Sequence, residues 1–172
     1  NFGSIQGSEA FPRAQAAVQR AIDLDPDLGL AHALNAMCLA WYDFDWSGAE
    51  REIRTALSAS AQHAGIPLYA GLVAATARRN EMIVSNVEKA REVDPLNPMT
   101  QAHIILGLFY AGRPQQSLAE ARPLEKMFPD YWAIPYFTAL VHWQCRDGEA
   151  AMGGIRRAIE MTGASVPYRS EE

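Results

Sequence analysis

The sequence lacks the features that mark membrane proteins and secreted disulfide-rich proteins. Its 172 residues include only two cysteines, Cys38 and Cys145, and so few cysteines predict free thiols in a reducing compartment. No apolar run approaches the ~20 residues that a membrane-spanning helix requires. We therefore expect a cytoplasmic protein with no membrane contact.

An excess of basic charge is also missing. The chain has 15 Lys and Arg against 20 Asp and Glu, a net charge of -5. Proteins that hold nucleic acid usually present a basic surface, because they neutralise phosphate groups. The charge balance argues against direct nucleic-acid binding, while 49% apolar residues can supply the core of a folded domain.

Common catalytic and metal-binding motifs do not occur: there is no HExxH, CxxC, P-loop, GxGxxG or nucleophile elbow. His142 and Cys145 could supply two metal ligands, but tetrahedral zinc needs four. Asp43 and Asp45 are expected to cap a helix rather than act as an acid/base pair. We predict no enzyme activity, no cofactor and no metal.

What the sequence does contain is an internal repeat. The string from Ala21 to Pro26 returns as Ala90 to Pro95, with weaker copies ending at positions 61, 129 and 163. The ends of these copies are evenly spaced, with a period of about 34 residues. A fixed period of this length indicates one small structural unit stacked several times.

Each unit reads as a pair of helices. Small or apolar residues recur seven and three residues before the first residue of each copy. This spacing places them on one stripe of an amphipathic helix. An apolar stretch of helix length precedes each of these helices, at residues 29–43, 66–78, 98–111 and 132–146. Short connections make neighbouring helices antiparallel.

Helix-end signals and boundaries complete this prediction. Ser47 to Glu50 reads as a capping box, Asn97 as a cap before Pro98, and Gly112 and Gly148 as turns. Pro123 should kink its helix between Ala119 and Pro123. We expect an N-terminal extension (1–8), a repeat array (9–163) formed by one lone helix (9–24) and four pairs, and a tail (164–172).

These features resemble the tetratricopeptide repeat, a helix–turn–helix unit of about 34 residues. Ala70-Gly71 stands where the family has its Leu-Gly pair, and Gly112 where it has its turn glycine. The resemblance implies an all-α, right-handed superhelix, here of about nine antiparallel helices, with the first helix of each pair lining a concave groove.

A narrower resemblance concerns residues 43–52, Asp-Phe-Asp-Trp-Ser-Gly-Ala-Glu-Arg-Glu. Together with the flanking repeats, this segment is similar to arrays attached to bacterial winged-helix regulators, nucleotide cyclases and protein kinases. It implies a regulatory or scaffold segment of a longer bacterial protein, whose output domain the sequence does not contain. Trp46, next to the capping residue Asp45, is expected to be a structural aromatic plug that locks the first pair.

The family register implies a groove without charge, and this favours an apolar partner over a terminal carboxylate. The candidate groove residues are Leu34, Cys38, Trp41, Tyr42, Leu72, Leu106, Phe109, Tyr110, Tyr136, Leu140 and Trp143. Aromatic side chains at helical spacing are equally compatible with core packing. The expected occupant is a protein or peptide segment, and the alternatives are a small apolar ligand or a second copy of the array.

Overall fold

The computed structural model describes residues 7–59 and 63–163, and every regular element in these ranges is helical. The nine α-helices of this part of the chain are α1 (Gly7–Leu24), α2 (Gly29–Cys38), α3 (Trp46–Ala59), α4 (Gly65–Thr76), α5 (Asn80–Val93), α6 (Pro98–Tyr110), α7 (Pro114–Met127), α8 (Ala133–Gln144) and α9 (Gly148–Thr162). A π-helical turn, Leu39–Asp43, extends α2. None of the described helices is both long enough and apolar enough to cross a membrane.

The helices form four antiparallel pairs: α2 with α3, α4 with α5, α6 with α7, and α8 with α9. We call the first member of each pair a first helix and the other a second helix. Successive first helices pack directly against each other, whereas successive second helices make little direct contact. Stacking in which one layer is tighter than the other must curve, and the first helices therefore form its inner surface.

The turns within the four pairs confirm the repeat register. Each turn contains one residue with a left-handed backbone: Phe44 (φ 56°), Arg78 (φ 53°), Gly112 (φ 72°) and Arg146 (φ 63°). These positions follow each other at a constant step that equals the repeat period. The prediction of a turn at Gly112 is confirmed, while Gly148 lies in the first turn of α9 and Arg146 occupies the left-handed position.

The helix caps agree only partly with the sequence pattern. The Asn97 side chain accepts hydrogen bonds from the backbone of Met99 (2.9 Å) and Thr100 (3.4 Å), as predicted. The capping box at Ser47 is wrong, because Asp45 caps α3 by accepting from the Gly48 N–H (2.9 Å) and the Ser47 hydroxyl (2.8 Å). The hydrogen bond from the Gly48 N–H makes the largest contribution to lowering the pKa of Asp45, and the hydrogen bond from the Ser47 hydroxyl makes the next largest.

Small side chains allow the paired helices to approach closely. The predicted stripe on the second helices is buried at Ala49, Ile83, Ser117 and Ala151, each at most 1% exposed. Ser117 keeps its polar group satisfied by donating to the Ile105 carbonyl at 2.8 Å. Ala14, the matching residue of α1, is exposed.

Three predictions concern the ends and one proline. Residues 1–6 of the proposed extension and the whole tail lie outside the described residues. Gly7, the first described residue, is already helical, two residues before the predicted start of the lone helix, so that Ser8 lies inside it. Helix α7 continues through Pro123 from Pro114 to Met127, and the kink between Ala119 and Pro123 stays a prediction.

Candidate functional site

The inner surface is built from helices whose sequences lack the four permanently charged residue types. Residues 29–42, 65–76, 98–110 and 133–144 contain no Asp, Glu, Lys or Arg. Within the described ranges, Asp, Glu, Lys and Arg lie instead on the second helices, on α1 and in the turns. An uncharged surface of this kind offers apolar contact, with hydrogen bonds from aromatic hydroxyl and indole groups.

Aromatic rings gather on the C-terminal half of this surface. The rings of Phe109 and Tyr110 lie 5.2 Å apart, and those of Trp132 and Tyr136 lie 5.9 Å apart. Burial, and secondarily the charge of Tyr136 when ionised, raises the pKa of Tyr110. We call Phe109, Tyr110, Trp132 and Tyr136 the inner aromatic cluster.

A second group of rings lies at the N-terminal end, where α2 becomes a π-helical turn. Trp41 and Tyr42 lie within that turn and are 41% and 37% exposed. The Tyr42 ring stacks on Phe11 of α1, with centroids 5.3 Å apart and planes inclined by 12°. The wider π turn changes where these side chains project, an arrangement frequent at functional sites.

The remaining predicted groove residues lie deeper than the register alone indicates. Cys38, Leu72 and Leu106 are 6%, 4% and 8% exposed, and the two leucines belong to one core cluster that spans α4, α6 and α8. Leu34 and Leu140 are half-buried. These five side chains are therefore too buried to be the accessible lining of a groove.

Trp143 is the most accessible of the predicted aromatic residues. It is 72% exposed near the end of α8, beside an open depression lined also by Gln144, Arg146 and Gly148. Together with Tyr110 and Tyr136, which are 47% and 38% exposed, it provides the aromatic area that a partner could cover.

Comparison with solved structures identifies the architecture. TTC0263, a thermophilic TPR protein of Thermus thermophilus, superposes with a TM-score of 0.77 at 14% identity over 90% of this chain and 84% of that one. The chain has the tetratricopeptide-repeat fold.

Two further TPR-type structures give weaker superpositions. YrrB, described as a TPR protein with an unusual peptide-binding site, matches at a TM-score of 0.57 and 16% identity, over 90% of this chain and 79% of that one. MamA matches at 0.60 and 11% identity, over 89% of each chain. No family model matches the sequence, and no curated protein matches it significantly.

The thiols and acidic groups do not assemble a metal site in the described part of the chain, where no three His, Cys, Asp or Glu side chains cluster suitably. Both cysteines are free: Cys38 is buried and Cys145 exposed. Burial, with a smaller contribution from Asp43, raises the pKa of Cys38. This shift makes the Cys38 thiol a poor nucleophile.

Sequence reasoning missed a set of ion pairs that connects successive second helices. Arg79 pairs with Glu50, Arg113 with Glu81 (2.7 Å), Arg91 with Glu120 (3.1 Å) and Arg157 with Glu125 (4.0 Å). The two partners of each pair are separated by nearly one repeat in the sequence. Arg79 and Arg157, which lie in charged runs typical of solvated faces, therefore connect one repeat to the next.

Proposed function

We propose that this chain is a protein-interaction module that binds an apolar peptide segment on its inner surface. The observation that carries this proposal is the accessibility of three aromatic side chains, Tyr110, Tyr136 and Trp143, on first helices that contain no Asp, Glu, Lys or Arg. Partly exposed aromatic residues are the side chains most often found as binding hot spots. The peptide-binding site of the structural neighbour YrrB supports the same kind of function on this fold.

The chemistry of the surface specifies its partner. A segment with several apolar side chains on one face, such as an amphipathic helix, would bury those side chains against the inner aromatic cluster. A terminal carboxylate would find no Lys or Arg on the first helices. The partner is therefore expected to bind through internal apolar residues and not through its C-terminus.

The wider role that we propose is a regulatory or scaffold part of a longer bacterial signalling or transcription-regulatory protein. Its support is the similarity of residues 43–52 to arrays attached to regulators, cyclases and kinases. The sequence of the complete gene product tests this role. An adjacent DNA-binding or catalytic domain supports it, and a gene product formed of repeats alone contradicts it.

Peptide selection tests the binding function directly. Peptides selected from a random library on the wild-type chain should bind Trp143→Ala and Tyr110→Ala about tenfold more weakly or worse, as measured by fluorescence anisotropy. Leu96→Ala is a matched control, because Leu96 is 74% exposed outside the inner surface in the turn before α6. Equal binding to all variants contradicts the proposal.

The same material distinguishes the alternatives that the sequence left open. Sedimentation of the chain as a monomer, with peptide binding intact, excludes a second copy as the main occupant. A small apolar ligand that competes with the peptides and loses affinity on Trp143→Ala would instead favour a ligand-sensing function. Failure to select any peptide would contradict the interaction module itself.

A further inference from the structure

An apolar cleft opens where α3 meets α4 and the start of α5. Its volume is about 140 Å³, and its walls include Trp46, Ile53, Leu57, Ala70, Val73 and Ala74. Trp46 is 46% exposed and meets Phe44 edge to face at 6.1 Å. The aromatic plug predicted to lock the first pair is therefore only half-buried, and its ring forms part of an open wall.

Two small side chains, those of Ala70 and Ala74, leave the space of the cleft unfilled. Ile104 and Leu108 stand one repeat after Ala70 and Ala74. Both are buried with Val87 in a core cluster on the α5 side, which Ala74 also joins. Isoleucine and leucine each carry three more carbon atoms than alanine. The space that these side chains fill between α5 and α6 consequently stays open between α3 and α4.

The rim of the cleft is positively charged. Arg79 pairs with Glu50, and the guanidinium of Arg54 lies 3.9 Å from the same carboxylate. One carboxylate shared by two guanidinium groups leaves one positive charge uncompensated at the mouth. The next repeat has Glu88 at the position of Arg54. The junction between α5 and α6 therefore lacks both the open cleft and this positive charge.

We propose that the cleft binds a small aromatic carboxylate. A cavity of about 150 Å³ with aliphatic walls accommodates a benzene ring, which matches the volume found here. The ring would lie against Trp46 and the alanine wall of α4, and its carboxylate would bind Arg54 and Arg79. None of the residues that line this cleft is one of the candidate groove residues.

Calorimetric titration of the whole chain with 3-phenylpropionate tests the proposal. The uncharged analogue 3-phenylpropanamide should bind about fivefold more weakly or worse, because it loses the charge-assisted contact. Arg54→Gln should weaken 3-phenylpropionate binding to a similar extent. Arg122→Gln, a change at an exposed arginine on α7, should leave binding unchanged and controls for net charge.

Filling the cleft gives the sharper result. Ala74→Leu copies the residue of the next repeat and should abolish binding while circular dichroism still reports a folded helical protein. Trp46→Ala should also weaken binding by about fivefold or more. Because Trp46 is half-exposed, this variant replaces Ala74→Leu as the test if Ala74→Leu does not fold. Trp143→Ala should bind 3-phenylpropionate normally. No binding to the wild type, or equal binding to Trp46→Ala, overturns the proposal.

Discussion

The imidazole of His32 lies 2.7 Å, through Nδ1, from a carboxylate oxygen of Glu52. Its other nitrogen, Nε2, lies 2.8 Å from the carbonyl oxygen of Pro26. His32 is 8% exposed, and both ring nitrogens face acceptors, an arrangement that the doubly protonated ring satisfies best. The pair connects α2 to α3 and to the turn that follows α1.

Stability should depend on pH through His32. Burial lowers the pKa of this group, but the bonds to Glu52 and Pro26 and the charges of Glu52 and Asp27 outweigh that effect and raise it above 6.5. Because the pKa of His32 is higher in the folded than in the unfolded state, its contribution to the free energy of unfolding is complete at pH values below the unfolded-state pKa. That contribution is lost as the pH rises through the folded-state pKa. Urea unfolding from pH 5.5 to 8.5 should show this loss.

The control for this prediction is His32→Gln, which cannot titrate. The difference in unfolding free energy between wild type and variant should shrink as pH rises. A difference that is constant with pH would contradict a contribution from the charged imidazole.

Two neighbouring glycines of α9 should respond oppositely to alanine. A Cβ at Gly153 meets nothing within 4 Å, whereas one at Gly154 would lie 2.8 Å from the Pro135 carbonyl oxygen and 2.9 Å from the Ala139 Cβ. Gly153→Ala should stabilise by about 1 kcal/mol through helix propensity. Gly154→Ala should destabilise by about 1–3 kcal/mol through overpacking against α8.

Thermal or urea unfolding of the two variants measures both effects. The comparison is internally matched, because the residues are adjacent in one helix. Equal effects would mean that α8 and α9 do not approach as closely as described.

Gly112 tests the turn geometry by a different mechanism. Its φ is +72° and a Cβ there would meet nothing within 4 Å, so alanine would be disfavoured by backbone conformation alone. Gly112→Ala should destabilise by about 1 kcal/mol. Unchanged or increased stability in urea would contradict the left-handed turn.

The ion pairs between second helices should contribute modestly. A double-mutant cycle on Arg91 and Glu120, 3.1 Å apart and about one-third exposed, should give a coupling of about 0.2–1 kcal/mol. The coupling should fall in concentrated salt, because salt screens exposed charges. A double-mutant cycle on Glu9 and Arg13, which pair within α1, is the control, because this ion pair does not connect two repeats.

Much of the fold follows from the sequence because it depends on local patterns. The repeat period and the apolar stretches predicted the four pairs, and Asn97 and Gly112 act as their residue types predict. Arg78 and Arg146 hold left-handed positions without a glycine signal, so only the repeat spacing could have located them. Asp45 and Ser47 are both good caps, and the path of the chain into α3 decides between them.

The site was less predictable because it depends on contacts between repeats. Helical periodicity places Leu72 and Leu106 on the inward face, but the close packing of α4, α6 and α8 buries them. Trp46 could not be recognised as a cleft residue, because its environment is set by the small size of Ala70 and Ala74 on another helix. The sequence does show the difference when the repeats are aligned, because Ala70 stands where the next repeat has Ile104.

The indole N–H resonances of the four tryptophans give the most direct test, because the proposed peptide surface includes Trp143 and the proposed cleft includes Trp46. In a ¹⁵N–¹H correlation spectrum, assigned with Trp143→Phe and Trp46→Phe, a library-selected peptide should shift the Trp143 signal and leave that of Trp46 in place. A peptide that shifts only the Trp46 signal would contradict binding on the inner surface.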